Sequence, residues 1–357
     1  MLRYNSNYFI MIIFFHIKLL LSLPGWPISQ HISAYNFSRC TWVEIADVAE
    51  FDLVSNVTNC MLKAHLSEVS QDPPKWRLKC NDTSSYFFSF SELKKTLNEI
   101  SRTDMTFYFL GDSTIKQQFI ALACMIADNP SNVFVQNRKN DAIKISNSSI
   151  SIVYRPLKRG PFLDHNFTKY THDILYGTLL HAKPGDVILL NQGLHFSSQN
   201  VESSVRSLGN YYHVLKIMID TYKEYMNYIK ADFLMPFLIW RETVPQNFDT
   251  SNGNYKPGWC VPQKSCKCIS SHRFISQNNR NWRNELANDL LSKTKIPISR
   301  VYKALDEATW DIHAMRRIGT IPPDCSHLST DALVFLNYVL LSTVFPQIAR
   351  PHWITKS

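Results

Sequence analysis

Phe107-Tyr-Phe-Leu-Gly-Asp-Ser-Thr-Ile-Lys-Gln-Gln-Phe119 is the stretch from which the rest of the chain can be placed. Four aromatic or apolar residues, Phe107 to Leu110, run into Gly111-Asp112-Ser113. Beyond them Ile115, Phe119, Ile120, Leu122 and Met125 recur at helical intervals. That order predicts a buried strand, a tight turn and a helix. Ser113 then stands at the carboxyl end of a strand and the amino end of a helix. Unpaired backbone N–H groups and the helix dipole favour developing negative charge there. Such a place suits a nucleophilic serine. Gly-Asp-Ser is equally an ordinary strand–turn–helix corner, so the reading needs partners elsewhere in the chain.

Downstream, Ser149–Tyr154 alternates and is rich enough in β-branched residues to predict a strand, leading into the basic run Arg155-Pro-Leu-Lys-Arg-Gly160. Pro184-Gly-Asp186 announces a turn before the apolar run Val187–Leu190, which suits a central strand and ends in Asn191-Gln-Gly-Leu-His195. A helical pattern covers Ser203–Tyr228, and a strand is expected at Phe233–Trp240. Residues 243–277, rich in Pro, Gly, Asn and Cys, read as a loop insertion. A helix at Trp282–Leu291, a short strand at Arg300–Tyr302 and a closing helix from Ser329 to about Phe345 complete the pattern. Upstream, Gly25 to Asp104 is irregular, with one helix at Ser91–Ile100 for which Ser91 is the candidate N-cap. Strands alternating with helices predict an α/β fold, a parallel sheet covered on both faces, with its site at the carboxyl ends of the strands. The expected divisions are residues 1–24 as leader, 25–104 as a cysteine-bearing accessory segment and 105–357 as the main domain.

The chain has 357 residues, 45% of them hydrophobic and 19% charged, enough for a large core and unlike a disordered chain. A net charge of +9 admits nucleic acid as a partner, but the N-terminus argues against it. Tyr8–Leu23 is an apolar run interrupted by His16 and Lys18, with Arg3 ahead and Pro24-Gly25 behind. It is short for a membrane span of about 20 residues and reads as a secretory signal peptide. Because no small-x-small cleavage site stands out, an uncleaved type II signal-anchor is the alternative. Asn-x-Ser/Thr sequons at Asn36, Asn56, Asn81, Asn147 and Asn166, and an even count of eight cysteines, agree with an oxidising lumen. The protein is therefore expected in the ER or Golgi lumen or outside the cell, touching membrane only through an N-terminal anchor.

A serine is a poor nucleophile until a neighbouring base takes its proton. His327 is the candidate base, with Asp324 fixing its tautomer and stabilising the imidazolium. Asn191 is a candidate oxyanion donor beside the Ser113 backbone N–H and a glycine. His195 is kept only as a candidate substrate contact; Arg155 and Arg241 could also contact substrate, but a structural ion pair is the preferred reading for both arginines. Cys260, Cys266 and Cys268, spaced C-x5-C-x-C, lack the paired knuckles of a zinc site, so disulfides are the simpler reading and no metal is expected. No phosphate-binding loop or dinucleotide glycine motif appears, so no bound cofactor is expected either.

Leu110-Gly-Asp-Ser-Thr-Ile-Lys-Gln117, Val187-Ile-Leu-Leu-Asn-Gln-Gly193 and Asp324-Cys-Ser-His327 together resemble the three blocks of the PC-esterase branch of SGNH proteins. That branch includes the plant trichome-birefringence-like polysaccharide O-acetyltransferases and animal proteins with neurexophilin-like PC-esterase domains. Trp76-Arg77 before Cys80, Tyr154-Arg155 before Gly160-Pro-Phe162, and Arg241-Glu-Thr-Val-Pro245 extend the resemblance over most of residues 40–345. It implies a three-layer α/β/α fold, a triad of Ser113, Asp324 and His327, and an oxyanion hole of Ser113, Asn191 and, as a candidate, Gly160. It also implies disulfides tying the accessory segment to the main domain: Cys40 with Cys80, Cys60 with Cys124, and Cys325 with one of Cys260, Cys266 or Cys268. The plant proteins usually follow the histidine with Trp and Cys, where this chain has Leu328 and Ser329.

The implied activity is O-acetyl transfer to a glycan hydroxyl, with an acetyl donor such as acetyl-CoA as co-substrate. A carbohydrate acetyl esterase using the same triad and a non-catalytic secreted module are the alternatives. Donor, acceptor and oligomeric state are left open.

Overall fold

A computed structural model describes residues 40–44, 55–61, 76–80, 90–127, 133–135, 142–145, 148–157, 165–196, 201–229, 235–250, 253–254, 268–269, 281–308, 312–313 and 325–345. The leader, Asp324, Gly160, Cys260, Cys266, the sequons at Asn36, Asn81 and Asn147, and most of the 243–277 insertion lie outside the described residues.

Strands β1 (Cys40–Glu44) and β2 (Trp76–Cys80) form an antiparallel pair whose register sets Cys40 opposite Cys80. The main sheet contains β3 (Thr106–Gly111), β4 (Val133–Val135), β5 (Ala142–Ile145), β6 (Ser151–Pro156), β7 (Val187–Leu190), β8 (Phe237–Arg241) and β9 (Ile298–Ser299). Its spatial order is β4-β5-β6-β3-β7-β8-β9. β6, β3, β7, β8 and β9 run parallel, whereas β4 and β5 pair antiparallel at one edge. From β3 the chain goes first to β6 on one side and then crosses to β7 on the other. The ends of β3 and β7 therefore flank the switch point, where doubly wound sheets open a crevice.

Register explains why these apolar runs are strands and which way each residue faces. Phe107, Val187 and Phe237 stand in one row across the sheet, and Phe109, Leu189 and Ile239 in the next row on the same face. They pack against α1 (Phe90–Ser101), α2 (Ser113–Ile126) and α7 (Thr330–Val344), with Val57 and Met61 from the helical stretch 55–61 in the same core. The alternate rows, Tyr108-Ile188-Leu238 and Leu110-Leu190-Trp240, face α3 (His165–His181), α4 (Val201–Ile229) and α5 (Trp282–Leu291). A period of two thus serves two cores. α4 buries Tyr211, Val214, Leu215, Met218, Ile219 and Tyr225 in one stripe while Lys216 and Asp220 meet on its exposed side at 2.7 Å. The Asp186 carboxylate fixes the amino ends of the central strands, accepting from Thr106 N at 2.7 Å and Lys183 N at 2.8 Å.

Several expectations shift. The sheet is mostly parallel, with the antiparallel strands β4 and β5 added at one edge. α1 begins at Phe90, so Ser91 lies inside the helix and is not its cap. The strand expected at Ser149–Tyr154 is Ser151–Pro156. The strand expected at Arg300–Tyr302 is instead Ile298–Ser299, and Tyr302 opens the short helix α6 (Tyr302–Asp306). The reason is Glu242, whose buried carboxylate takes Tyr302 N at 2.9 Å and turns the chain out of the ladder. Ser329, expected as the first residue of the closing helix, is its N-cap and accepts from Ala332 N. Among the described residues Cys60 is bonded to Cys124, on α2, and Cys268 to Cys325.

His172 on α3 bridges to α4, with Nε2 3.2 Å from Glu224 and Nδ1 3.2 Å from Asp173. Burial pushes its imidazole down, but the bonds to the two carboxylates outweigh this and hold its pKa above the ordinary value. A raised folded pKa gives stability that is complete below the unfolded value of about 6.5 and lost as pH rises through the folded value. The side chain is 35% exposed, so the contribution is under about 1 kcal/mol. His172→Gln should therefore lower the melting temperature slightly near about pH 5.5 and leave it unchanged near about pH 8.5, read by calorimetry across pH.

Candidate active site

At the end of β3 the backbone turns through Gly111 and Asp112 into α2. A Cβ on Gly111 would lie 2.3 Å from Asn191 O and 2.7 Å from the Ile115 side chain, so only glycine lets β3, β7 and the helix converge. Asp112 is the N-cap: its Oδ1 accepts from Thr114 N at 2.9 Å and from the Thr114 hydroxyl at 2.7 Å. Its other oxygen faces Leu194 N at 3.4 Å, tying the turn to the segment after β7. From β6, the Tyr154 hydroxyl donates to Gly111 O at 3.1 Å. Ser113 is the first residue of α2 and half-buried. Its backbone N–H, like others in the first turn, has no intrahelical acceptor.

α2 is almost wholly buried, and Thr114, Gln117 and Gln118 form a polar stripe at i, i+3 and i+4 within it. Thr114 Oγ1 accepts from Arg241 Nη2 at 2.8 Å while donating to Asp112, and Gln118 Oε1 accepts from Arg241 Nη1 at 3.1 Å. Arg241, at the end of β8, is 1% exposed. Burial pushes its pKa down to about 10 against the pull of Asp112, so it stays charged at neutral pH. Asp112 and Arg241 are thus opposite charges joined through one hydroxyl beneath Ser113.

Gln117 makes the other connection. Its Oε1 accepts from Leu328 N at 3.0 Å. This bond holds the residue after His327 to the first turn of Ser113's helix, since Ser113 and Gln117 are four apart on one face. The His327 segment is fixed on its other side too. Cys325 is bonded to Cys268, and its carbonyl accepts from Asn247 N at 3.1 Å. Ser326 Oγ accepts from Gln246 Nε2 at 2.9 Å, and Ser329 N donates to Ile312 O at 2.8 Å. His327 itself is half-buried. Asp324 lies outside the described residues.

The remaining candidates divide. Asn191 is fully buried, and its amide hydrogens go to Arg241 O at 2.8 Å and Thr243 Oγ1 at 3.1 Å, with Oδ1 3.3 Å from Arg241 Nη2. It braces the strand ends and has no side-chain N–H left for an oxyanion, contrary to expectation. Gly193, two residues on, is where the backbone comes nearest that bracing group: a Cβ there would lie 1.9 Å from Thr243 Oγ1. Arg241, for which a structural ion pair is the preferred reading over a substrate contact, is buried in the network just described. His195 is exposed beyond β7, and Arg155 is half-buried at the end of β6. Cys325 takes Cys268 from the three partners considered. Thr114, Gln117 and Gln118 were not among the expected site residues; three polar residues at helical spacing in an otherwise apolar helix were the available signal.

Arg241→Met leaves Asp112 buried without its counter-charge and should cost about 3–5 kcal/mol. Gln117→Leu strands only the Leu328 N–H and should cost about 1–3 kcal/mol. Urea unfolding of both variants checks the order; equal costs would mean that the buried charge pair carries no special weight.

No family model matches the chain, and no curated protein matches it significantly. Among solved structures, the chain is similar to the periplasmic domain of a lipopolysaccharide acetyltransferase from Salmonella ser. Paratyphi A, with 12% identity and a TM-score of 0.31, over 84% of this chain and 97% of that one.

Proposed function

We propose that the chain is a lumenal serine O-acetyltransferase acting on glycan hydroxyls, with Ser113 as nucleophile, His327 as base and Asp324 as its orienting carboxylate. The observation that carries this reading is the Gln117–Leu328 bond, which ties the histidine segment to the turn that presents Ser113. The disulfides at Cys60–Cys124 and Cys268–Cys325 support an oxidising compartment.

In this reading Ser113 Oγ attacks the acetyl carbonyl of the donor, such as acetyl-CoA, as its proton passes to His327. Negative charge develops on the carbonyl oxygen and is met by backbone N–H groups at the start of α2. His327 returns the proton to the leaving group as the carbon–leaving-group bond breaks, and an acetyl-Ser113 ester remains. A glycan hydroxyl then loses its proton to His327 and attacks the ester carbonyl, and the proton goes to Ser113 Oγ as the acyl–enzyme bond breaks. Helix dipole, N-cap and the Arg241 brace hold the serine turn rigid throughout.

The test uses the full chain from a secretory host beside Ser113→Ala, with acetyl-CoA or an aryl acetate as donor and a panel of glycans. Acetylated glycan from wild type, and at least about a thousandfold less from the variant, is the expected result by mass spectrometry. Serine-dependent acetate release with no acetylated glycan would replace the transferase by an esterase. Failure of a fluorophosphonate to label Ser113 in folded protein would overturn both.

A further inference from the structure

From Val187 to Phe196 every residue is buried except one, His195. The exception follows from the way β7 ends. Asn191 N donates to Leu110 O at 3.0 Å, continuing the ladder with β3, and the chain then leaves the sheet. Phe196 N donates to Gly193 O at 3.1 Å and closes a four-residue turn with Leu194 and His195 at its centre.

That turn is held at both ends and along its length. Gly193 packs so closely on Thr243 that no side chain fits between them. Asn284 fixes Thr243 in its place, accepting from its N–H at 2.7 Å and donating to its carbonyl at 2.9 Å. Leu194 N faces Asp112 Oδ2 at 3.4 Å, one residue from Ser113. Phe196 is 5% exposed, its ring centroid is 4.9 Å from that of Tyr211, and its carbonyl accepts from Nε of the buried Arg283 at 2.5 Å. The serine turn leaves β3 and this turn leaves the neighbouring β7, so both border the crevice at the switch point. A polar side chain presented there on a fixed turn gives up little backbone freedom when it binds a ligand, which favours a substrate contact.

We propose that His195 selects the acceptor, hydrogen-bonding a hydroxyl of the sugar that is acetylated at Ser113. The proposal rests on the acetyltransferase reading. A neutral imidazole has one donor and one acceptor nitrogen. A sugar hydroxyl both donates and accepts, so the two can bond in either sense. The acetyl carbonyl is met by backbone N–H groups at the start of α2, which leaves the end of the neighbouring strand to the acceptor.

The test compares the full chain with His195→Ala and His195→Asn. Two steps are followed by mass spectrometry. One is acetylation of Ser113 by an aryl acetate without sugar; the other is acetyl transfer to the methyl glycosides of glucose, galactose, xylose, N-acetylglucosamine and sialic acid. His195→Ala should raise the KM for the best of these acceptors about tenfold, and the effect should fall on that KM and not on the rate of serine acetylation. His195→Asn keeps a donor and an acceptor and should recover part of the loss. Because His195 is exposed, both variants should melt as wild type does. Working transfer with an unchanged KM in His195→Ala would overturn this proposal alone. Slowed serine acetylation at unchanged KM would overturn it too, by placing His195 in the chemistry. Transfer to none of the glycosides by wild type would remove the acetyltransferase reading and the proposal together.

Discussion

Arg241 is a full positive charge with 1% of its surface exposed, and the ends of three strands are arranged around it. A buried guanidinium must have its donors satisfied and its charge balanced. Here the two Nη groups go to Thr114, Gln118 and Asn191, only Nε lacks an acceptor, and the balancing charge is Asp112, one hydroxyl away. These partners come from α2, the end of β7 and the serine turn. Moving any one element would leave an unpaired polar group in the core, so the charge fixes where β3, β7 and β8 end relative to one another. Ser113 takes its position from that constraint. Its own side chain contributes nothing to it, which leaves the hydroxyl available for chemistry while the backbone on either side is held.

The same logic extends to the histidine. Peptide groups must find partners when buried, and Leu328 N finds its partner in a side chain, Gln117, because the segment lies outside the sheet. On the far side the Cys268–Cys325 bridge and the bonds from Asn247 and Gln246 hold the segment to the chain that follows β8. His327 thus sits on a loop with fixed points at Cys325, Ser326, Leu328 and Ser329. In the role proposed for His327, such restraint would keep reorientation out of the barrier to proton transfer.

The sheet was readable from sequence because its signal is strong: β3, β7 and β8 are buried on both faces, so their runs are continuously apolar. α4, α5 and α7 were readable for the same reason at helical period. α3 was not, because its buried stripe is Thr171, Leu175, Thr178 and Leu179. Two of those four are threonines, and Thr178 returns its hydroxyl to Ile174 O, so a polar residue is buried at little cost and the apolar period is blurred. β4 and β5, three and four residues long, are too short to carry a pattern. At the site, the serine and its turn were legible as a local motif. Asn191 and Arg241 were each open to a structural and a functional reading, since sequence marks a polar residue after a strand without saying whether it faces the crevice or the core; here both face the core.

The two buried arginines make that distinction in physical terms. Both are desolvated and both have their pKa pushed down to about 10. Arg241 has a carboxylate reached through Thr114, and its two Nη groups have acceptors within the fold. Arg283 bonds to the neutral acceptors Phe196 O and Asn254 Oδ1, and the same Asp112 acts on it without a bonded link. A charge balanced from within serves the architecture. Each arginine also keeps one guanidinium nitrogen without an acceptor, so what separates the two is where they stand in the fold and not how fully their donors are satisfied.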